Sequence, residues 1–391
     1  MSIELSNYKR DLDLTWVPNP RTGSGAAFLW GPRQTGKTTY LRERFPAARF
    51  YDLLDTALSA ELAVRPHLLR EQVLGERPAV VVVDEIQQVP GLLPEIHWLL
   101  ENSGTRFILC GSSARKLRRG AKNLLGGRAI DFHLLPLTSR EIGDVDLLRL
   151  LNHGALPAHY RVDDARPLLR AYLNNYIKQE IIDESATRNV PAFSRFLQVV
   201  GLGHGQQVNF TSVARETGVS AGTVRSYYQI LEDTLLGFTL EPWRRRQKRR
   251  LVDTAKFYLF DIGVANQLHP EATAIGAGTD LFGRAFEHFI LNELRAFLAY
   301  TRRDQALSFW RTSSGFEVDF IVGDMELAVE CKATEQVRGD DLKGLRALKE
   351  EHRPRRSLLV SRDTAHRKTE DGIELLPWRE FCAMLWGTAL F

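Results

Sequence analysis

Sulfur is scarce in this chain: three cysteines, Cys110, Cys331 and Cys382, and three methionines among 391 residues. The cysteines stand far apart, without metal-site spacing, and an odd number suits a reducing compartment rather than a disulfide framework. A cytoplasmic location is therefore expected. Long apolar runs are missing as well. No stretch approaches the ~18 residues of a membrane span, and the opening Met1-Ser2-Ile3-Glu4-Leu5-Ser6 lacks the basic-then-apolar layout of a secretory signal. No membrane partner is expected. Internal repeats and long low-complexity segments are absent, and neither charge sign dominates: 52 Lys and Arg face 48 Asp and Glu, a net +4. How the charge is distributed then matters more than its sum. A chain of this length exceeds what one core fills, so roughly two to four domains are expected.

What is present begins with Gly31-Pro32-Arg33-Gln34-Thr35-Gly36-Lys37-Thr38, directly after the apolar run Ala26-Ala27-Phe28-Leu29-Trp30. This is the phosphate-loop pattern G-x-x-x-x-G-K-[ST] in its strand–loop–helix setting. The glycines let backbone N–H groups turn inward around phosphate, and a helix N-terminus adds the positive end of its dipole. Lys37 is expected to reach the β and γ phosphates and Thr38 to hold Mg²⁺. ATP contacts are expected from Gly31, Pro32, Arg33, Gln34, Thr35, Gly36, Lys37, Thr38 and Thr39.

Val80-Val81-Val82-Val83-Asp84-Glu85 is a β-branched run of the kind buried at the centre of a parallel sheet. It ends in two carboxylates that strand alternation aims differently. Asp84 suits the Mg²⁺ shell and Glu85 the general base. A third strand, Phe107-Ile108-Leu109-Cys110, runs into Gly111-Ser112-Ser113. Ser112 is a candidate γ-phosphate sensor, with Ser113 the near alternative, although Ser after Gly is also ordinary turn chemistry.

Taken with Gly126-Gly127-Arg128 and the following LLPLTSREI, the segments GPRQTGKTT, VVVDEIQ and CGSSARKL resemble the AAA+ ATPases of bacteria and archaea. The particular subfamily carries an uncharacterised C-terminal domain with a restriction-endonuclease-like core, and the resemblance spans essentially the whole chain. It implies self-association in a ring, a hexamer or nearly so, in which an arginine of one subunit completes the ATP site of its neighbour. Arg128 is the candidate by position, with Arg115, Arg118 and Arg119 competing. The implied fold is α/β. A P-loop AAA+ core over 1–140 is followed by a helical lid over 141–200, a winged helix-turn-helix over 201–255 and the endonuclease-like domain over 256–391.

The middle of the chain reads as helix from about 141 to 200. Phe210 to Ser220, then Ala221 to Leu236, gives a short helix, a Gly turn and a second amphipathic helix, a helix-turn-helix pattern. Val213, Ala214, Val219, Val224, Ile230 and Leu231 are its expected core, and Thr223, Arg225, Ser226 and Tyr227 its expected exposed positions. Then come Arg244, Arg245, Arg246, Lys248, Arg249 and Arg250, six cations in close succession after Trp243. In a winged fold this stretch falls near the wing. Thr223, Arg225 and the six cations are the candidate DNA contacts, with strong salt dependence and no sequence specificity.

The last third offers a different constellation. Glu287 lies on an amphipathic helix, Asp319 on a strand, and Glu330-Cys331-Lys332 on the next, where Glu330 and Lys332 share a face. Acid on one strand and Glu-x-Lys on its neighbour resembles the restriction-endonuclease-like core. There Glu287, Asp319 and Glu330 would hold Mg²⁺ while Lys332 orients water. The same residues are also ordinary on half-buried strands. Two functions stand side by side: a DNA-directed ATPase on branched, junction or broken DNA, in repair or recombination, with a candidate nuclease; or a nucleotide-driven regulatory or defence switch whose winged helix contacts protein.

Overall fold

The computed structural model describes residues 8–16, 18–19, 21–112, 125, 129–177, 189–244, 254–269 and 274–391. It separates into two compact units. The first is Arg10–Leu135 with Asp233–Leu236, and the second is built from Pro136–Glu232 and Gly237–Phe391.

The first unit is a five-stranded sheet of β1 (Gly25–Trp30), β2 (Arg49–Asp52), β3 (Val80–Asp84), β4 (Arg106–Gly111) and β5 (Ala129–His133), ordered β2-β3-β4-β1-β5. Every pairing is parallel. Parallel strands demand cover on both faces, which explains the unbroken Val run of β3, buried along its whole length. One covering helix, Leu92–Asn102, turns Leu92, Leu93, Ile96, Leu99 and Leu100 inward at helical spacing. Each such side chain contributes about 1.5–3 kcal/mol of burial. Because all strands run the same way, Trp30, Asp84 and Gly111 end on one edge, the usual place for a ligand in an open α/β sheet.

In the second unit the stretch after Pro136 is helical: Ser139–Ile142, Leu147–His153, Pro157–Arg161, Arg166–Ala171, a wider turn over Tyr172–Ile177, and Val190–Leu202. Thr138 and Glu141 form a reciprocal capping box. Phe210–Thr217 and Ala221–Asp233 follow, joined through Gly218 at φ 71°. Tyr227, expected on the exposed face of the latter helix, is instead buried. The helix Val190–Leu202 presents Phe193 and Phe196, whose rings lie 4.8 and 5.3 Å from it. An aromatic face supplied from elsewhere in the chain overrides the local pattern.

An eight-stranded sheet completes the unit. β6 (Gly237–Pro242) and β7 (Lys256–Leu259) pair antiparallel; β8 (Leu307–Arg311), β9 (Glu317–Val322) and β10 (Leu327–Lys332) form a meander; β11 (Arg356–Ser361), β12 (Arg367–Lys368) and β13 (Glu374–Pro377) follow. The order is β12-β13-β11-β10-β9-β8-β6-β7. The long helix Asp280–Tyr300 packs Phe286, Phe289 and Ile290 against Phe309, Phe320 and Val329, while the helix Lys343–Glu351 sets Leu345 and Leu348 against Val318, Ile321 and Ala328. Neighbours in sequence thus point to opposite faces. Where the sequence suggests a limit at 255, one sheet runs across: β6 pairs with β8 through Glu241↔Ser308 and Pro242↔Phe309. Glu293 of the long helix is buried and accepts hydrogen bonds from Ser139 N, Ser139 Oγ and Trp386 Nε1, each 2.7 Å away.

Candidate functional site

The phosphate loop follows β1 and leads into the helix Lys37–Arg44. Gln34 and Gly36 take left-handed backbone, at φ 64° and 88°, which turns successive N–H groups toward one concavity. A side chain at Gly31 would place its Cβ 2.4 Å from the Leu134 carbonyl oxygen, so only glycine fits there. Lys37 is buried and its ammonium donates to the Gly31 and Pro32 carbonyls at 2.7 and 3.0 Å. Thr35 Oγ1 closes the turn by donating to Pro32 O. Arg10, which the sequence did not single out, donates to Thr35 O and Leu135 O at 2.6 Å each and braces the loop from outside.

Across the sheet edge, Thr38 Oγ1 donates to Asp84 Oδ2 at 2.6 Å. A hydroxyl and a carboxylate side by side are the hard oxygen donors that Mg²⁺ prefers. Glu85 does not continue the strand alternation expected of it. It leaves β3 in left-handed backbone at φ 55°, costly for a non-glycine residue and concentrated at functional sites. That turn brings its carboxylate to Ser112 Oγ, 3.2 Å away, and to the Gln87 amide, which also donates to Ser112 Oγ at 3.3 Å. Gln87 is the member of this trio that sequence reasoning missed. Its signal was only its place two residues beyond Glu85. Arg128 and Ser113, with Arg115, Arg118 and Arg119, lie outside the described residues.

Of the candidate DNA contacts, Thr223 is half-buried and hydrogen-bonded to Ser220 Oγ at 2.9 Å, and Arg225 is exposed with its guanidinium 4.9 Å above the Phe210 ring. Arg244 is exposed. Arg245, Arg246, Lys248, Arg249 and Arg250 lie outside the described residues.

The acidic constellation of the second unit is assembled from four elements. Lys332 Nζ sits 2.7 Å from Glu330 Oε1. Asp319 is buried and its Oδ2 accepts the Cys331 N–H at 2.8 Å. Glu287 Oε1 accepts from the Tyr258 hydroxyl at 2.5 Å. Three further residues join them that the sequence did not point to: Tyr258, Glu317, and Lys256, whose ammonium lies 2.5 Å from Glu317 Oε1 and 3.5 Å from Glu287 Oε1. Burial, and then the charges of Glu330 and Glu287, push the Asp319 carboxyl well above its usual range. Burial likewise raises Glu330 against the pull of Lys332. For Lys256 burial opposes the charge, but Glu287, Asp319 and Glu317 outweigh it and raise the pKa. Glu330 Oε2 is buried with no hydrogen-bond partner. An orphaned carboxylate oxygen among excess acids fits the chemistry of a hard divalent cation. Even so, among the described residues no three His, Cys, Asp or Glu side chains are gathered closely enough to hold one.

Residues 24–143 match the family model described as AAA domain. Residues 145–276 and 282–381 match two domains of unknown function (DUF8612 and DUF4143). An uncharacterized protein of Mycobacterium tuberculosis and another of Mycobacterium bovis are each 27% identical over 304 residues, 75% of this chain and 66% of theirs. The chain thus spans just under two thirds of these relatives. An uncharacterized protein of Methanocaldococcus jannaschii is 21% identical, over 80% of this chain and 74% of its own. Among solved structures, the Aeropyrum pernix ORC1 protein in complex with DNA aligns with TM-score 0.28 at 15% identity, over 62% of this chain and 86% of its own. A signal transduction ATPase with a tetratricopeptide repeat sensor from Pyrococcus horikoshii aligns at 0.23 and 12%, over 75% and 49%. The AAA domain match, the parallel sheet and the phosphate loop agree on an AAA-type P-loop core in the first unit. Among the described residues no helix is long and apolar enough to cross a membrane.

Proposed function

We propose that this chain is a Mg²⁺-dependent ATP hydrolase of AAA+ type that acts on DNA as a ring-shaped oligomer. The observation that carries it is the convergence of Lys37, Thr38, Asp84, Glu85 and Ser112 on one sheet edge, with Thr38 bonded to Asp84 and Ser112 to Glu85. Loop N–H groups would cradle the phosphates, and Lys37 would exchange its carbonyl partners for phosphate oxygens. Mg²⁺, when bound by Thr38 and Asp84, supplies charge neutralisation at the β and γ phosphates. Glu85 would take the proton of the attacking water. Gln87 fixes the direction of that carboxylate, and Ser112 can exchange Glu85 for a γ-phosphate oxygen. Arg128 would complete the neighbouring subunit's site.

DNA binding rests on the cations from Arg244 to Arg250, which would neutralise several phosphates, with Arg225 beside them. Branched, junction or broken DNA is the favoured substrate class. Glu287, Asp319 and Glu330 with Lys332 make the C-terminal region a candidate Mg²⁺-dependent nuclease. A regulatory or defence switch is the second reading. It is favoured by the burial of Tyr227 and the stacking of Arg225 on Phe210, which leave the second helix fewer free groups for a DNA groove. ATP turnover measured with and without duplex, single-stranded and four-way DNA separates the two. Stimulation by DNA is expected. Turnover indifferent to all three would leave the switch standing, and normal turnover in Lys37→Ala would remove the ATPase assignment itself.

A further inference from the structure

We infer that Arg10 is a positioning residue for the triphosphate, acting through the Thr35–Gly36 peptide of the phosphate loop rather than by touching the nucleotide. The inference rests on the ATPase reading of that loop. Arg10 stands 25 residues before Thr35, in a stretch without regular secondary structure. Its two terminal nitrogens part: Nη1 donates to Thr35 O and Nη2 to Leu135 O, each at 2.6 Å. Both bonds are charge-assisted, the short and strong kind. Thr35 is itself wholly buried and lies between the two left-handed residues of the loop, Gln34 and Gly36.

A trans peptide is planar, with its C=O and N–H pointing opposite ways, and no peptide among the described residues is cis. Holding the Thr35 carbonyl outward therefore aims the next N–H, that of Gly36, into the concavity that receives phosphate. The guanidinium also polarises that same peptide, which makes the N–H a stronger donor. The other half of the fork fixes where the loop sits. Leu135 closes the stretch Arg10–Leu135 that Arg10 opens, and the carbonyl before it, Leu134 O, leaves no room for a side chain at Gly31. One side chain thus ties the two ends of the stretch to each other and to the loop between them. Tyr40 of the following helix holds the same segment, its hydroxyl donating to Leu12 O at 2.7 Å. A lysine, with a point charge in place of a planar fork, would serve one carbonyl but not both.

Steady-state ATP turnover with Mg²⁺ in the full chain tests this, comparing the parent with Arg10→Ala, Arg10→Gln and Arg10→Lys. An amide aimed at phosphate serves ground state and transition state alike, so weakening it raises KM and leaves kcat nearly unchanged. Arg10→Ala should raise the KM for ATP about tenfold, and Arg10→Lys should recover part of that loss. Calorimetric titration with ATP in a Glu85→Gln background, where turnover is slow, should show the same weakening. A brace without this role would instead lower kcat through loss of folded enzyme and leave KM alone. That result, or equal ATP affinity with and without the Arg10 substitutions, would overturn the inference while leaving the ATPase in place. Circular dichroism checks folding, and Arg10→Gln against Arg10→Lys carries the comparison if Arg10→Ala does not fold. A parent that neither binds nor turns over ATP would remove the ATPase reading, and the inference with it.

Discussion

Asp84 and Glu85 in the first unit meet neutral partners, the Thr38 and Ser112 hydroxyls and the Gln87 amide. Glu287, Glu317 and Glu330 in the second meet lysines. The same side-chain type is thus prepared for opposite situations. Acids with neutral partners keep their charge available to whatever arrives, at some cost in backbone strain at Glu85. Acids paired with ammonium groups, Lys256 buried and Lys332 half-exposed, are largely compensated within the chain, and removing one partner of a buried pair is expensive. Substitution should therefore damage chemistry in the first cluster and stability in the second.

The sharpest test asks whether the first cluster depends on a positive charge from outside. Arg128→Ala should retain ATP binding yet lose roughly 10³-fold or more in turnover. Mixing it with Glu85→Gln should partly restore activity, because some junctions then combine an intact arginine with an intact base. No recovery across all mixing ratios would argue against action in trans. Next comes the contrast itself. Glu85→Gln should lower turnover by about 10²- to 10⁴-fold with its thermal midpoint almost unmoved. Lys256→Met should leave ATP turnover intact but cost about 3 kcal/mol in denaturant unfolding without metal. Similar stability losses in both variants would erase the distinction.

A smaller effect is expected on DNA affinity. Neutralising Arg244, Arg245, Arg246, Lys248, Arg249 and Arg250 together should flatten the plot of log affinity against log salt by several units, each phosphate contact contributing about 0.9. Basal ATP hydrolysis should not change. An unaltered slope would move the DNA site away from this segment.

The least effect concerns a carboxylate with neither role. Burial raises Glu293 from 4.5 to about 7, against the bonds it accepts from Trp386 and Ser139. Its folded pKa lies above its unfolded one, so the stability it contributes is complete below pH 4.5 and is lost as pH rises toward and through about 7. Thermal midpoints of the wild type should decline between pH 5 and 8 more than those of Glu293→Gln; parallel curves would rule the contribution out.

The phosphate loop and the strand before it were legible because their chemistry is local. Eight consecutive residues supply the backbone geometry, and a Val run announces a doubly covered strand. Ser112 could be named for the same reason, being the first residue after an apolar strand. Gln87 could not be ranked, because its value depends on the left-handed turn at Glu85, a conformation that no residue type there requires. Asp319, Glu330 and Lys332 were readable from two-residue alternation on adjacent strands. Lys256, Tyr258 and Glu317 were not, since β7 reaches the cluster only through its hairpin partner β6, which joins β8 across more than sixty residues of sequence. Tyr227 was misread for a related reason: the aromatic face that buries it comes from Val190–Leu202, beyond the reach of helical periodicity.

The pairing of β6 with β8 has a practical corollary for dissecting the molecule. A fragment beginning at residue 256 would keep β7 but lose β6, its hairpin partner, and would bare the β8 backbone through which β6 joins the sheet. Freshly exposed strand margins recruit other chains. Such a fragment should precipitate or oligomerise by strand exchange, whereas one beginning at Gly237 retains the hairpin and leaves no raw edge at β8. The working unit of excision is thus set by hydrogen-bonded neighbours rather than by where one sequence pattern gives way to the next.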